Sequence, residues 1–159
     1  VKPGVSIVSD NTKAISAAIR KMAETQVLVG IPSEKTSRSG PITNAALGYI
    51  HNYGAPEANI PARPFMEPGI AEAEPENLRR MQHIATAALE GRSDAVENGF
   101  IAIGLRTAAA IKRRFALGIP PPLKPSTLAA RRRRGRSGTT PLIDTGQLRN
   151  AISFVIRRT

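Results

Sequence analysis

Residues 93–117 read SDAVENGFIAIGLRTAAAIKRRFAL, a stretch without proline that predicts one long helix. Ser93 is placed to cap its start. Lys112, Arg113 and Arg114 fall in its last turns, where the helix dipole favours cations, and Gly118 stands just past its end. Upstream, a second long helix is expected from Pro68 or Pro75 to Leu89. Its apolar face is predicted to carry Leu78, Met81, Ile84, Ala85, Ala88 and Leu89. Glu72, Glu74 and Glu76 suit its first turns, and Gly91 ends it.

Outward from this helical pair the pattern changes. QVLVGI (Gln26–Ile31) is β-branched, short and closed by Pro32, which predicts a buried strand, and Val5–Val8 and Ile152–Ile156 are also strand-like. Asp10 is an N-cap for a helix over 11–23, with Ile15, Ala18, Ile19 and Met22 on one face. Ser33–Pro41 is polar and marked by Gly and Pro, so a mobile loop is expected. Thr43–Tyr53 reads as a short helix with Gly54 as its cap, and prolines 56, 61, 64 and 68 make the next stretch irregular. Ile119–Pro125 is a stiff linker, Ser126 a cap for one or two turns carrying Arg131–Arg134, and Gly135–Thr140 a flexible link. Asp144 or Thr145 caps a last short helix ending near Ala151. The expected fold is α+β: a small, mostly antiparallel sheet with helices packed on one face, plus extended Pro-rich and Arg-rich loops. Residues 1–159 form one domain on this reading, with the mobile loop at 33–41 and a basic arm at 119–141.

Composition narrows the chemistry. The chain has 159 residues and no cysteine, so disulfides and thiolate metal sites are excluded. Hydrophobic residues make up 41%, yet only four Phe and two Tyr contribute, so the core rests on Ala, Ile, Leu and Val. A core of that kind leaves a modest surplus over conformational entropy, which suits a subunit stabilised by assembly. No window approaches a membrane span, and no secretory pattern opens the sequence, so folding in a cytoplasm is expected.

The net charge of +11 is carried entirely by residues 91–159, which hold fourteen Lys and Arg against three acids. That half attracts polyanions, whether nucleic acid or an acidic protein face. Its densest cluster is Arg131, Arg132, Arg133 and Arg134 with Arg136, suited to phosphate contact or to ordering against an acidic neighbour. No aromatic residue is interleaved, which removes the stacking partners expected of a single-strand binder. The two histidines, His51 and His83, lack metal-ligand spacing, and no nucleophile elbow or phosphate loop is present. No catalytic, metal or cofactor site is therefore expected.

Two stretches resemble a known family. Leu47, Ile50, His51, Asn52, Tyr53 and Gly54, followed by Ile60, Pro61, Ala62, Arg63, Pro64 and Phe65, are similar to a signature of phage virion morphogenesis and tail-completion proteins. Pro122–Leu128, then Pro141, Leu142, Ile143, Asp144, Thr145, Gly146, Gln147, Leu148 and Arg149, resemble the ending of the same group, typified by the G protein of phage Mu. The resemblance spans about residues 45–152 and implies a virion protein of the neck, or head–tail connector, assembled in the host cytoplasm. It implies a ring, hexameric by the family's habit, around the DNA channel. Its partners would be a head–tail stopper or adaptor, a tail terminator or the tail tube, with non-specific contact to packaged DNA and no membrane. A tail terminator, a minor tail protein and a non-specific basic DNA-binding protein are the alternatives.

Within the signatures each residue also has a local reason. Gly54 is expected to end its helix in the left-handed region, and Pro61 and Pro64 to present Arg63 and Phe65 at low entropic cost. Phe65 is expected to anchor the core beside Tyr53, and Arg63 to hold a carboxylate or a backbone carbonyl. Gly146 is expected to allow a close approach, and Leu142, Leu148 and Ile152 to return the chain to the core.

Overall fold

The computed structural model describes residues 10–35, 37–38 and 41–159. The expected strand at Val5–Val8 and part of the 33–41 loop lie outside these residues. The order is α1 (Thr12–Ala23), β1 (Thr25–Gly30), α2 (Asn44–Tyr53), α3 (Met66–Leu89), α4 (Ser93–Ala116), α5 (Pro125–Arg133), α6 (Gln147–Ala151) and β2 (Ser153–Arg158). It is a helical α+β fold, and its described sheet is the antiparallel pair β1–β2, in register from Thr25 opposite Arg158 to Gly30 opposite Ser153.

The two long helices form an antiparallel pair, because the turn between them is short and Gly91 (φ +72°) reverses the chain. Glycines let them close tightly. A Cβ on Gly69 would lie 2.7 Å from Ile111 Cα, and one on Gly99 would strike Ile84, so each helix gives way once to the other. Both strands pack on α4, where Gly104 leaves room for the Phe154 ring.

The core has two parts. Near the α3–α4 turn, Ala18 of α1 packs with Ile84, Ala88, Val96 and Phe100. At the opposite end, Phe65 and Phe115 (ring centroids 4.7 Å apart) pack with Ile111, Ile119, Leu148 and Ile152. This second cluster supports the site described below.

Several expectations need correction. Helix α3 starts at Met66 and runs through Pro75, so its buried face is Gly69, Ala73, Ile84, Ala87 and Ala88, while Leu78 (60% exposed), Met81 and Leu89 stay outside. Proline at 75 forfeits one backbone hydrogen bond, and packing on α4 overrides that loss. Strand β1 is half-buried: Leu28, 47% exposed, faces outward with its cross-strand partner Val155. Helix α5 begins at Pro125 behind Lys124, with no capping role for Ser126. Asp10 does accept from the Thr12 N–H (3.0 Å), although Asn11 is the boundary residue of α1.

Candidate functional site

Helix α2 is capped at its start by Thr43, whose Oγ1 accepts from the Ala46 N–H at 3.1 Å, and at its end by Gly54 (φ +84°). The chain then doubles back through the Ala55–Ile60 bridge, and the Arg63 N–H donates to the His51 carbonyl at 2.8 Å. A Cβ on Gly54 would meet Ala62 N at 2.8 Å, so both the positive φ and the returning backbone require glycine there. Pro61, Ala62 and Pro64 form this return, which carries Arg63 and Phe65 inward.

Phe65 is buried as expected, but its aromatic neighbour is Phe115, not Tyr53. Tyr53 is 57% exposed, packs against Tyr49 with the rings tilted by 50°, and donates its hydroxyl to Glu67 Oε1 at 2.7 Å. The residue that joins α2 to α3 is Asn52. Its Oδ1 accepts from the Phe65 N–H (2.9 Å) and the Met66 N–H (3.1 Å), and its Nδ2 donates to Glu67 Oε2 at 3.0 Å. Asn52 thus caps α3 from another helix, a role that sequence reading missed. The signal was an asparagine, a poor helix former, two residues before Gly54 and fourteen before the start of α3. Asn52→Ala should cost about 2–3 kcal/mol, because two buried amide donors lose their acceptor. Urea denaturation would measure it, and an unchanged midpoint would refute the capping role.

Arg63 is 6% exposed and reaches the other signature. Its Nε and Nη2 donate to the Pro121 carbonyl at 3.1 and 2.8 Å, and Nη2 also to Pro122 at 3.4 Å. A carbonyl ligand was one of the two expectations. The linker is therefore clamped, with Ile119 buried at its start.

The arginine cluster divides. Arg131 is 7% exposed: its Nη1 donates to the carbonyls of Gly138 (2.8 Å) and Thr140 (3.1 Å), and its Nε lies 3.6 Å from Asp144. Arg136 pairs with the same carboxylate. Both are engaged within the chain, Arg131 with the loop after α5 wrapped around it and Arg136 with its side chain still 37% exposed. Arg132, Arg133 and Arg134 are exposed. Asp144 therefore serves arginines and does not cap α6. The residue at that boundary is Gly146 (φ +76°), and Thr145 Oγ1 accepts from the Gln147 N–H at 3.3 Å. Gly146 is needed for its conformation, since nothing crowds its Cβ position closer than 3.8 Å. Leu148 and Ile152 are buried, and Leu142, at φ +65°, is half-buried.

These residues enclose a cleft of about 290 Å³ between α2, α5 and the 141–148 loop. His51, Arg63 and Leu47 line it from the first signature, and Leu142, Asp144, Thr145, Gly146 and Leu148 from the second. The imidazole of His51 is held below its ordinary value of 6.5, first by burial and then by the charges of Arg63 and Arg38. The folded chain therefore holds fewer protons at His51 than the unfolded chain does. Its contribution is fully present above pH 6.5 and declines as pH falls below that value. His51→Gln should flatten the fall in melting temperature between about pH 7.5 and 5.5. An identical slope in both proteins would refute this.

Among the described residues no three His, Asp or Glu gather to hold a metal, and no helix is long and apolar enough to cross a membrane. Comparison with protein-family models, with characterised proteins and with solved structures found no match to this chain.

Proposed function

We propose that this chain is a non-enzymatic structural subunit of a tailed-phage virion, a tail-completion or neck protein that forms a ring of its own copies at the head–tail junction. The observation that carries the reading is the union of the two signature stretches. Arg63 of the first grips the carbonyls where the second begins, Phe65 and Leu148 share one core cluster, and residues of both line one cleft. Stretches some sixty residues apart that converge in this way act as one unit, as the resemblance requires. A ring needs a head-to-tail interface that closes, and six copies match the family's habit. A tail terminator or minor tail protein would have the same fold and differ in its neighbours.

Arg132, Arg133 and Arg134 are the outward basic face on α5 and the contact offered to acidic neighbours or to DNA in the channel. Disrupting the gene should give filled heads beside separate tails by electron microscopy, and intact tailed particles would overturn the reading. Reversing Arg132, Arg133 and Arg134 to Glu should reduce head–tail joining while the subunit keeps its melting temperature. Deleting residues 131–136 would be a poorer test, since it removes the buried Arg131 and the loop it holds.

The DNA-binding alternative rests on the same three exposed arginines. It requires duplex affinity to fall steeply with salt, with a log–log slope of about 0.9 per phosphate neutralised.

A further inference from the structure

We infer that the cleft between α2, α5 and the 141–148 loop is a receptor for an acidic side chain, glutamate or aspartate, presented by a protein partner. Four arginines, Arg38, Arg63, Arg131 and Arg134, line it together with His51, against the single carboxylate of Asp144. That carboxylate is already held by Arg131 and Arg136. Among the described residues no carboxylate pairs with Arg38, Arg63 or Arg134, so the walls carry surplus positive charge. A concave wall focuses that field and raises the local concentration of anions. His51 Nδ1 adds a buried polar atom with no hydrogen-bond partner.

Shape and chemistry favour a carboxylate over nucleic acid. A space of about 290 Å³ admits a side chain or a short peptide turn, whereas a duplex can touch only its rim. Leu47 and Leu142 supply apolar wall against which the methylenes of a glutamate can lie. The pairing of Asp144 with Arg131 and Arg136 is the same bond made within the chain, and guanidinium forks suit carboxylates. The fixed charge of Asp144 also opposes a phosphate dianion more than a carboxylate monoanion. The site stands on this geometry and does not depend on the virion role.

The test is fluorescence anisotropy of a labelled hexaglutamate peptide with the full chain at low salt. We expect saturable binding that Arg38→Glu with Arg134→Glu weakens at least about tenfold. Arg132→Glu with Arg133→Glu makes the same charge change outside the cleft, and should weaken binding less than about threefold. Equal loss in both double variants would mean diffuse attraction and would overturn the inference. So would a short duplex that displaces the peptide and itself depends on Arg38 and Arg134, because the ligand would then be nucleic acid. A readout that needs no variant is the His51 ring resonance in NMR titration. It should move with the peptide, and a stationary His51 counts against the site even if the variants fail to fold.

Discussion

Replacing Gly69 by valine should lower the stability of the folded chain by about 3 kcal/mol, within the upper range of overpacking. A β-carbon at residue 69 would sit 2.7 Å from both Cα and Cγ1 of Ile111 and 3.0 Å from its amide nitrogen. Two of those atoms belong to backbone, so no rotamer change relieves the clash and the helices must move apart. Separation would loosen the Phe65–Ile111–Phe115 cluster, which is the floor of the cleft's end of the molecule. The helix-propensity gain on replacing glycine, about 1 kcal/mol for alanine and less for valine, acts in the opposite direction and is too small to compensate. Gly69→Ala should fall between wild type and valine. Ala71→Val, two residues along on the exposed side of α3, should cost less than about 1 kcal/mol, its helix-propensity loss alone. Urea denaturation of the three variants decides the matter, and a wild-type midpoint for Gly69→Val would show that the helices are not in close contact.

The second large effect is expected at Arg63. Arg63→Met keeps the apolar stem and removes the fork that holds the Pro121 and Pro122 carbonyls. Hydrogen bonds from a charged donor contribute about 1.5–3 kcal/mol, while removing a buried guanidinium relieves part of its desolvation. The loss should outweigh the relief, for a net cost of about 2 kcal/mol, because two carbonyls are left without their donor. Arg63→Lys should rescue little, since an ammonium cannot reproduce two diverging N–H bonds from a planar group. A local signature accompanies the global one. Chymotrypsin should cut after Leu123 faster in Arg63→Met than in wild type, as the linker is released from its clamp. Equal cleavage rates would mean that the clamp does not order the linker.

How much of this was legible in the sequence follows from the range of the forces involved. The long helices, Gly54, Gly91 and Gly118, and the strand at QVLVGI are set by local patterns and were readable. The start of α3 was not, because its cap comes from Asn52 on another helix and its proline at 75 signals a break that packing overrides. The buried face of α3 was misread for a related reason: the helix meets α4 through Gly69 and Ala73, small residues that carry little hydropathy, so the larger Leu78 and Met81 drew attention instead. At the site, residues of both signature stretches line one cleft, and a carbonyl was one of the two ligands expected for Arg63. Arg131 and Arg132 look alike in sequence, yet one is the centre of a wrapped loop and the other is solvent-facing. Only the position of the Gly138 and Thr140 carbonyls separates them, and that is a tertiary fact.

The pairing of β1 with β2 has a consequence for the order of events during synthesis. Gly30 must wait for Ser153, roughly 120 residues later, which at 5–20 residues per second is about 6–25 s. The α3–α4 hairpin needs no such delay, since its contacts are local and form as soon as α4 emerges. A nascent chain therefore spends seconds as a finished hairpin beside a strand whose two edges are both open, including the one that β2 later takes. Ribosome-stalled chains ending near residue 145 should be cut within β1 by proteases that spare the completed protein, and resistance at that length would mean that β1 is covered before β2 exists.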